Sequence, residues 1–236
     1  MNLRLGTALL GMVVAAGACS DGSSSFASAS LESDDQKASY GIGLNVGAQI
    51  ADSRDRLDRQ AFMRGVEDAL QGDEPAIPRE EIQPALQAFA AEIQAAAAEA
   101  RELASAENSE AGTAFLAENA QREEVTVTDT GLQYEVLREG EGPSPTPGDQ
   151  VEVHYRGSLI DGTEFDASYG GDPAVFGVGA VIPGFAEALQ LMSVGSHYRV
   201  WIPSELGYGP QGSGPVIGPN AVLVFEIELL DILDQG

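Results

Sequence analysis

Four short strings concentrate the side chains that could act together: VEVHYRGSLIDGTEFDASY (151–169), FGVGAVIPGFAEALQLMSVG (176–195), VWIPSELGYG (200–209) and IGPNAVLVFEIELL (217–230). They supply phenols, phenyl rings and one acid directly after a large aromatic, Phe165-Asp166. Two histidines, His154 and His197, and one cysteine, Cys19, are too few for a His/Cys metal centre, and a lone cysteine excludes an internal disulfide. No Ser-His-Asp or Cys-His set, GxGxxG fingerprint, phosphate loop or conspicuous carboxylate pair occurs. What remains is the chemistry of an apolar aromatic pocket with one acid and a few hydroxyls, calling for no metal and no cofactor. Each aromatic taken alone reads as an ordinary core residue; the set is what points to a site.

Strands, turns and one short helix must bring these strings together. In VEVHYRGSL, Val151, Val153 and Tyr155 share one face of a strand, and Glu152, His154 and Arg156 share the other. Asp161-Gly162 is a turn signal. VIPGFAEALQLM reads as an amphipathic helix opened by Pro183, with Phe185, Leu189 and Met192 along one face. HYRVWIP puts Tyr198, Val200 and Ile202 on one side of a strand and leaves Trp201, the only tryptophan, on the other as a packing or surface residue. The closing strand lines up Leu223, Phe225, Ile227 and Leu229. Upstream, VTVTDTGLQYEVL gives two strands around a turn at Gly131, and GPSPTPGDQ is a Pro/Gly-rich turn. Residues 122–236 are therefore expected to form an α+β domain, an antiparallel β-sheet wrapped around a short helix.

Before Gln121 the period is helical. Residues 31–72 read as two short helices, with Ser33 capping the first, Tyr40, Leu44 and Ile50 on its face, and Phe62, Val66 and Leu70 on the second. Gly41, Gly43 and Gly47 fall inside the first helix, where each costs ~1 kcal/mol relative to Ala, so a second backbone is expected to pack closely there. From Pro78 to Asn119 the residues Ile82, Leu86, Phe89, Ile93, Ala96, Ala100 and Leu103 step by four and three, which predicts one long helix. Its length and stripe, with the glycines, favour an all-α N-terminal homodimerisation domain over residues 31–121, joined through residues 31–100, with Arg101 to Asn119 as a solvated stalk. The alternative is a monomeric helical hairpin with the long helix as a linker.

Met1 to Ala18 has the form of a signal peptide: Arg4, an apolar run from Leu5 to Ala16, then small residues. Cys19 comes next, a position that resembles the lipidated cysteine of bacterial lipoproteins, although Ala16 stands where that pattern has Leu. Ser20 after the cysteine implies, by the same resemblance, sorting to the outer membrane. A plain secreted or soluble periplasmic protein cut at the same bond is the alternative. Residues 19–30 form a polar tether. The 12 basic and 37 acidic residues give a formal charge of −25, which repels nucleic acid and anionic lipid surfaces and otherwise serves solubility, so the membrane is reached through the N-terminal lipid only.

Tyr155, the DGxxFD string ending at Phe165-Asp166, VIPGF, the GYG at 207–209 and NAVLVFEIELL together resemble the FKBP-type peptidyl-prolyl cis-trans isomerases. KASYGIGLNVG, the long helix and GTAFLAEN resemble the macrophage infectivity potentiator group within them, which are homodimers. The resemblance implies an enzyme that isomerises Xaa-Pro bonds in proline-containing polypeptides and assists folding in a bacterial cell envelope. It implies that Tyr155, Phe165, Phe176, Phe185, Ile217 and Phe225 form pocket walls and floor and that Val181 and Ile182 sit at the rim. The Ile182 N–H would donate to substrate, and Asp166 and Tyr208 would be the polar groups. Two departures, Phe185 where the family usually has Trp and Ala174 where an aromatic is common, imply a roomier site and leave macrolide-inhibitor binding open. Two other functions fit less of this pattern: a binding module whose paired arms hold unfolded clients or a matrix protein, and a structural lipoprotein with an inactive domain.

Overall fold

The computed structural model describes residues 29–233. Signal peptide, Cys19 and most of the tether lie outside the described residues. Contacts divide the chain into two units, one ending at Pro78 and one beginning at Arg79.

In the first unit, α1 spans Asp34–Gln49 and α2 spans Arg59–Gln71. Ser33 caps α1 as expected: its hydroxyl accepts from the Gln36 N–H, and the Gln36 side chain accepts from the Ser33 N–H in return. Asp58 caps α2, and Gly72 closes it in the left-handed region at φ 76°. Neither helix buries a residue. Tyr40, Ile42, Leu44 and Val46 are exposed, and Leu70, expected on the α2 face, is 80% exposed. A Cβ built on Gly41, Gly43 or Gly47 would meet nothing within 4 Å. The close backbone expected at those glycines is therefore not supplied by the described residues.

The second unit opens with α3, Arg79–Asn119, 41 residues long. At ~1.5 Å per residue it measures about 60 Å. It runs through Pro84, whose missing N–H removes one bond of the first turns. After it come β1 (Val125–Val127), β2 (Gln133–Arg138), β3 (Gln150–Leu159), β4 (Glu164–Ala167), β5 (Ala174–Gly177), α4 (Pro183–Leu191), β6 (His197–Ile202) and β7 (Leu223–Leu233). The strands pair antiparallel in the order β1-β2-β6-β7-β3-β4, and β5 pairs with β3 beside β4. One sheet face and α4 enclose the core. Val151, Val153, Val200, Leu223, Ile227 and Leu229 come from the strands, and Phe185, Leu189 and Met192 from α4. These are the faces that the period-2 and period-3.6 patterns selected.

The other sheet face is partly covered by the C-terminal end of α3. The buried Asn119 side chain donates to Gln133 Oε1 at 2.9 Å, and Gln133 Nε2 donates to the Leu116 carbonyl at 2.9 Å. Trp201 is 3% exposed, with the Arg122 guanidinium 5.3 Å from its ring centre, so it is a packing residue. Arg101, Ser105 and Asn108 also bond to the β6–β7 connection. The second half of α3 is thus docked on the sheet unit, which corrects the expectation of a solvated stalk. The physical reason is that its contacts are made by Arg, Ser and Asn side chains and by the small Gly112, so this Ala-rich segment has no apolar stripe to announce a packed face.

Candidate active site

The site grows from the middle of β3. Tyr155 points to the core face, and two residues on, the same face carries Gly157. A Cβ at Gly157 would lie 2.5 Å from Phe165 Cε2 and 2.7 Å from Phe225 Cε1. Only a glycine leaves those two rings room over the strand. Phe165 arrives on β4, turned back by the hairpin at Gly162, which has φ 88° and takes the left-handed region a side chain disfavours. Phe225 arrives on β7, paired with Gly157 in register. Phe185 rises from the first turn of α4, whose start is set by Pro183. A residue before proline is held extended, and Ile182 sits there at φ −59°, ψ 147°, its carbonyl accepting from Phe185 and Ala186 N–H at 3.0 Å each.

Five rings interlock edge to face. Phe185 lies 5.1 Å from Phe225, 6.0 Å from Phe176 and 6.2 Å from Tyr155, centre to centre, at interplanar angles of 83°, 82° and 86°. Phe165 meets Phe225 at 5.5 Å and 81°. Such pairs place positive ring edges on negative faces and add ~0.5–1.5 kcal/mol each beyond area burial. They bound a cavity of about 570 Å3, within the ~300–1,000 Å3 of small-ligand sites.

Every pocket residue expected from the sequence lines this cavity: Tyr155, Phe165, Asp166, Phe176, Val181, Ile182, Phe185, Tyr208, Ile217 and Phe225. Phe185 and Phe225 form a buried floor at 3% and 5% exposure, while Tyr208, at 38%, stands at the mouth. Sequence reasoning missed Ala180 and the stretch Ser213, Gly214, Pro215 and Val216, which complete the rim. Their signal was position, since 213–216 lies between two residues already assigned. Gly157 was missed too, although it comes two after Tyr155 on the same strand face.

Polar groups are few and arranged. The Tyr155 hydroxyl donates to Asp166 Oδ2 at 2.5 Å. Burial, then that hydrogen bond, then the carboxylate charge push the Tyr155 phenol well above its ordinary pKa, so it stays protonated as a donor. Asp166 is exposed on β4 at the cavity's edge, where it holds a wall residue. The two histidines belong to the framework. His154 Nδ1 lies 3.1 Å from Ser168 Oγ and its ring stacks on Tyr169 at 5.3 Å. His197 Nδ1 is 3.8 Å from Glu228. Among the described residues no group of three or more His, Cys, Asp and Glu is placed to hold a metal ion. Among them, too, no helix is long and apolar enough to cross a membrane.

This cavity can grip a small apolar ring and present a few donors to the chain attached to that ring. Comparison with known proteins gives the same direction. The family model of FKBP-type peptidyl-prolyl cis-trans isomerase matches residues 142–230, and that of the domain amino terminal to FKBP-type peptidyl-prolyl isomerase matches residues 35–136. The FKBP-type 22 kDa peptidyl-prolyl cis-trans isomerase of Escherichia coli is 46% identical over 199 residues, spanning 84% of this chain and 95% of that protein. The outer membrane protein MIP of Legionella longbeachae is 37% identical over 204 residues, spanning 86% and 88%. The crystal structure of FkpA from Escherichia coli superposes with a TM-score of 0.65 at 36% identity, covering 88% of this chain and 100% of that one. Two adjoining family matches and relatives aligned along most of both chains place this protein: it belongs to the FKBP-type peptidyl-prolyl cis-trans isomerases and is an enzyme of that class, acting on proline-containing polypeptides.

Proposed function

We propose that this isomerase acts on Xaa-Pro bonds of envelope or secreted proteins as they fold, and that the aromatic cavity is where it does so. The carrying observation is the set of five interlocked rings around one cavity whose mouth holds Asp166 and Tyr208. Rotation of the peptide bond is opposed by ~18–20 kcal/mol of amide resonance. No covalent step is needed; catalysis requires only that the twisted amide be held better than the planar one. The planar form is the more charge-separated, so apolar walls disfavour it relative to the twisted form. Every ~1.4 kcal/mol of that difference is worth tenfold in rate. Phe185 and Phe225 support the proline ring from below, and Tyr155, Phe165 and Phe176 from the sides. Val181 and Ile217 close the rim. The Ile182 N–H and the Tyr208 O–H donate to substrate carbonyls. Asp166 acts by accepting from Tyr155, which fixes that wall and leaves the carboxylate beside the rotating carbonyl.

The test is protease-coupled isomerisation of a short Xaa-Pro peptide with the Ser20–Gly236 protein, its Asp166→Ala variant and its Phe165→Ala variant. Both variants are expected to lose ~10-fold or more in kcat/KM with the fold retained. Full activity in both would remove the cavity from the reaction.

The same proposal includes the rest of the chain. Residues 31–100 form a homodimer, supported by the exposed Tyr40, Ile42, Leu44 and Val46 and by glycines with open space above them. Residues 31–121 serve as dimerisation domain and arm, and 122–236 as catalytic domain. Cys19 carries the lipid anchor to the outer membrane, supported by the leader pattern and by a Legionella relative named as an outer membrane protein. The cavity also accepts macrolide inhibitors, whose ring systems need apolar walls of this kind.

A further inference from the structure

We propose that one face of α3 is a positioning element for the active-site loop, with Arg101 and Asn108 its principal positioning residues. The inference rests on the reading of the aromatic cavity as the isomerase site.

The loop in question runs from Ile202, where β6 ends, to Leu223, where β7 begins. It supplies Tyr208, Ser213, Gly214, Pro215, Val216 and Ile217 to the cavity, a large share of its rim. Antiparallel neighbours are usually joined by ~2–5 residues, and longer connections are where conformational multiplicity resides. The loop's own bonds are sparse: two 3-10 turns at Ser204–Leu206 and Gly209–Gln211, an isolated bridge between Ser213 and Ile217, and the Asn220 N–H to the Gly209 carbonyl at 2.9 Å.

Core packing of Leu206 and Ile217 adds to this, and α3 supplies further side-chain bonds. Arg101 Nη2 donates to the Gln211 carbonyl at 2.8 Å, to Gln211 Oε1 at 2.9 Å and to the Pro210 carbonyl at 3.3 Å. Asn108 Nδ2 donates to the Pro219 carbonyl at 2.9 Å. Asn220 Nδ2 donates to Ser105 Oγ at 2.7 Å. Gly112 lets the helix close on the loop's end, since a Cβ there would lie 2.7 Å from Val222 Cγ2. Arg101, Ser105, Asn108 and Gly112 step by four, three and four, so they form one helix face.

The contacts grip the loop at both feet. Pro210 and Gln211 belong to the turn directly after Tyr208, and Pro219 and Asn220 lie just beyond Ile217. None of these hydrogen bonds falls on residues 213–217, which form the rim. α3 thus reduces the conformations open to Tyr208 and 213–217 before substrate arrives. A site competent in only a fraction of molecules binds with its affinity reduced by that fraction. Releasing the clasp should therefore raise KM and leave kcat, read at saturation, nearly unchanged.

The experiment uses the full mature chain and its Arg101→Ala/Asn108→Ala variant, with Arg101→Lys as the conservative change. Glu107→Ala, an exposed position on the same helix, is the control. kcat and KM are measured separately with a cis-proline peptide, and amide hydrogen exchange is followed at Ser213, Ile217 and Asn220. The double variant is expected to raise KM about three- to tenfold, with kcat within about twofold, and to speed exchange at those three amides. Arg101→Lys, which keeps a donor for the carbonyls, is expected to retain most of the wild-type KM, and Glu107→Ala all of it. An unchanged KM in the double variant, even with a lowered melting temperature, overturns the proposal, as does an equal rise in Glu107→Ala. The outcomes also separate the two readings. If Asp166→Ala and Phe165→Ala keep full activity, the cavity assignment fails and takes the clasp with it. If those variants lose activity while the double variant keeps its KM, the clasp alone falls.

Discussion

Gly157 sets a sharp test of how rigid the cavity is. Gly157→Ala adds a single carbon to β3, at a position whose backbone any residue can adopt. That carbon would sit 2.5 Å from Phe165 Cε2, 2.7 Å from Phe165 Cζ and 2.7 Å from Phe225 Cε1. Carbon atoms rest at ~3.5–4.0 Å, so about 1 Å must be found. It cannot come from a flexible chain end, because both neighbours are rings. Phe225 is itself wedged against Phe185 at 5.1 Å and Phe165 against Phe225 at 5.5 Å, so either ring can retreat only by moving another or by entering the cavity. Overpacking of this kind costs ~1–3 kcal/mol. The sole tryptophan, Trp201, is buried in the same sheet and reports that loss by fluorescence during chemical unfolding. The catalytic effect should be larger than the stability effect suggests, since a 1 Å displacement of a positioning group can cost ~100-fold. We expect kcat/KM to fall between ~10- and 100-fold in the protease-coupled assay. Gly148→Ala, where the added carbon meets nothing within 4 Å, is the control. A Gly157→Ala protein with the wild-type unfolding midpoint and the wild-type kcat/KM would refute the claim that the rings form a fixed wall.

The helical unit and the far side of the sheet give two further expected outcomes. Gly43→Leu should strengthen α1 in isolation by ~1 kcal/mol of helix propensity, because among the described residues nothing outside the helix's own turns lies within 4 Å of its Cβ; if a partner's backbone packs there, light scattering should nevertheless report monomers, and a dimer that persists would count against the proposed interface. Burial favours the neutral form of Glu228, but hydrogen bonds from Arg138 and Tyr169, each at 3.2 Å, outweigh it and hold its carboxyl below the ordinary 4.5. A carboxylate depressed in the native state adds stability above its unfolded value, and that share is lost as pH falls through the native one, so the unfolding midpoint should decline below about pH 4.5 and decline less in Glu228→Gln.

Much of the catalytic unit was legible because its patterns are driven by apolar burial. Val151, Val153 and Tyr155 alternate with Glu152, His154 and Arg156, and the first three are buried. Phe185, Leu189 and Met192 recur at helical spacing, and all three are buried. The ten pocket residues were reachable because a resemblance tied them together; periodicity alone would have returned several of them as core, which Phe185 and Phe225 also are. Gly157 was invisible for a different reason. A missing side chain leaves no hydrophobic signal, and its role exists only in relation to Phe165 and Phe225, each brought there by another strand.

The misjudged stalk shows where such reading fails in general. Apolar periodicity detects surfaces that leave water for hydrophobic reasons. The docked face of α3 is held differently: Arg101 and Asn108 donate to carbonyls of the β6–β7 connection, and the Asn119–Gln133 pair ties the end of the helix to β2. A connection with little secondary structure must place its backbone groups somewhere, and here part of the answer lies on a helix about a hundred residues earlier, from Arg101 to Gln211. That need was readable in principle. GPQGSGPVIGPN, rich in Gly and Pro, satisfies only part of its own backbone, and Arg and Asn side chains can supply donors to its other carbonyls. Polar side chains on an otherwise bland Ala-rich helix are therefore candidates for loop anchors whenever a long Gly/Pro-rich connection carries part of a binding site.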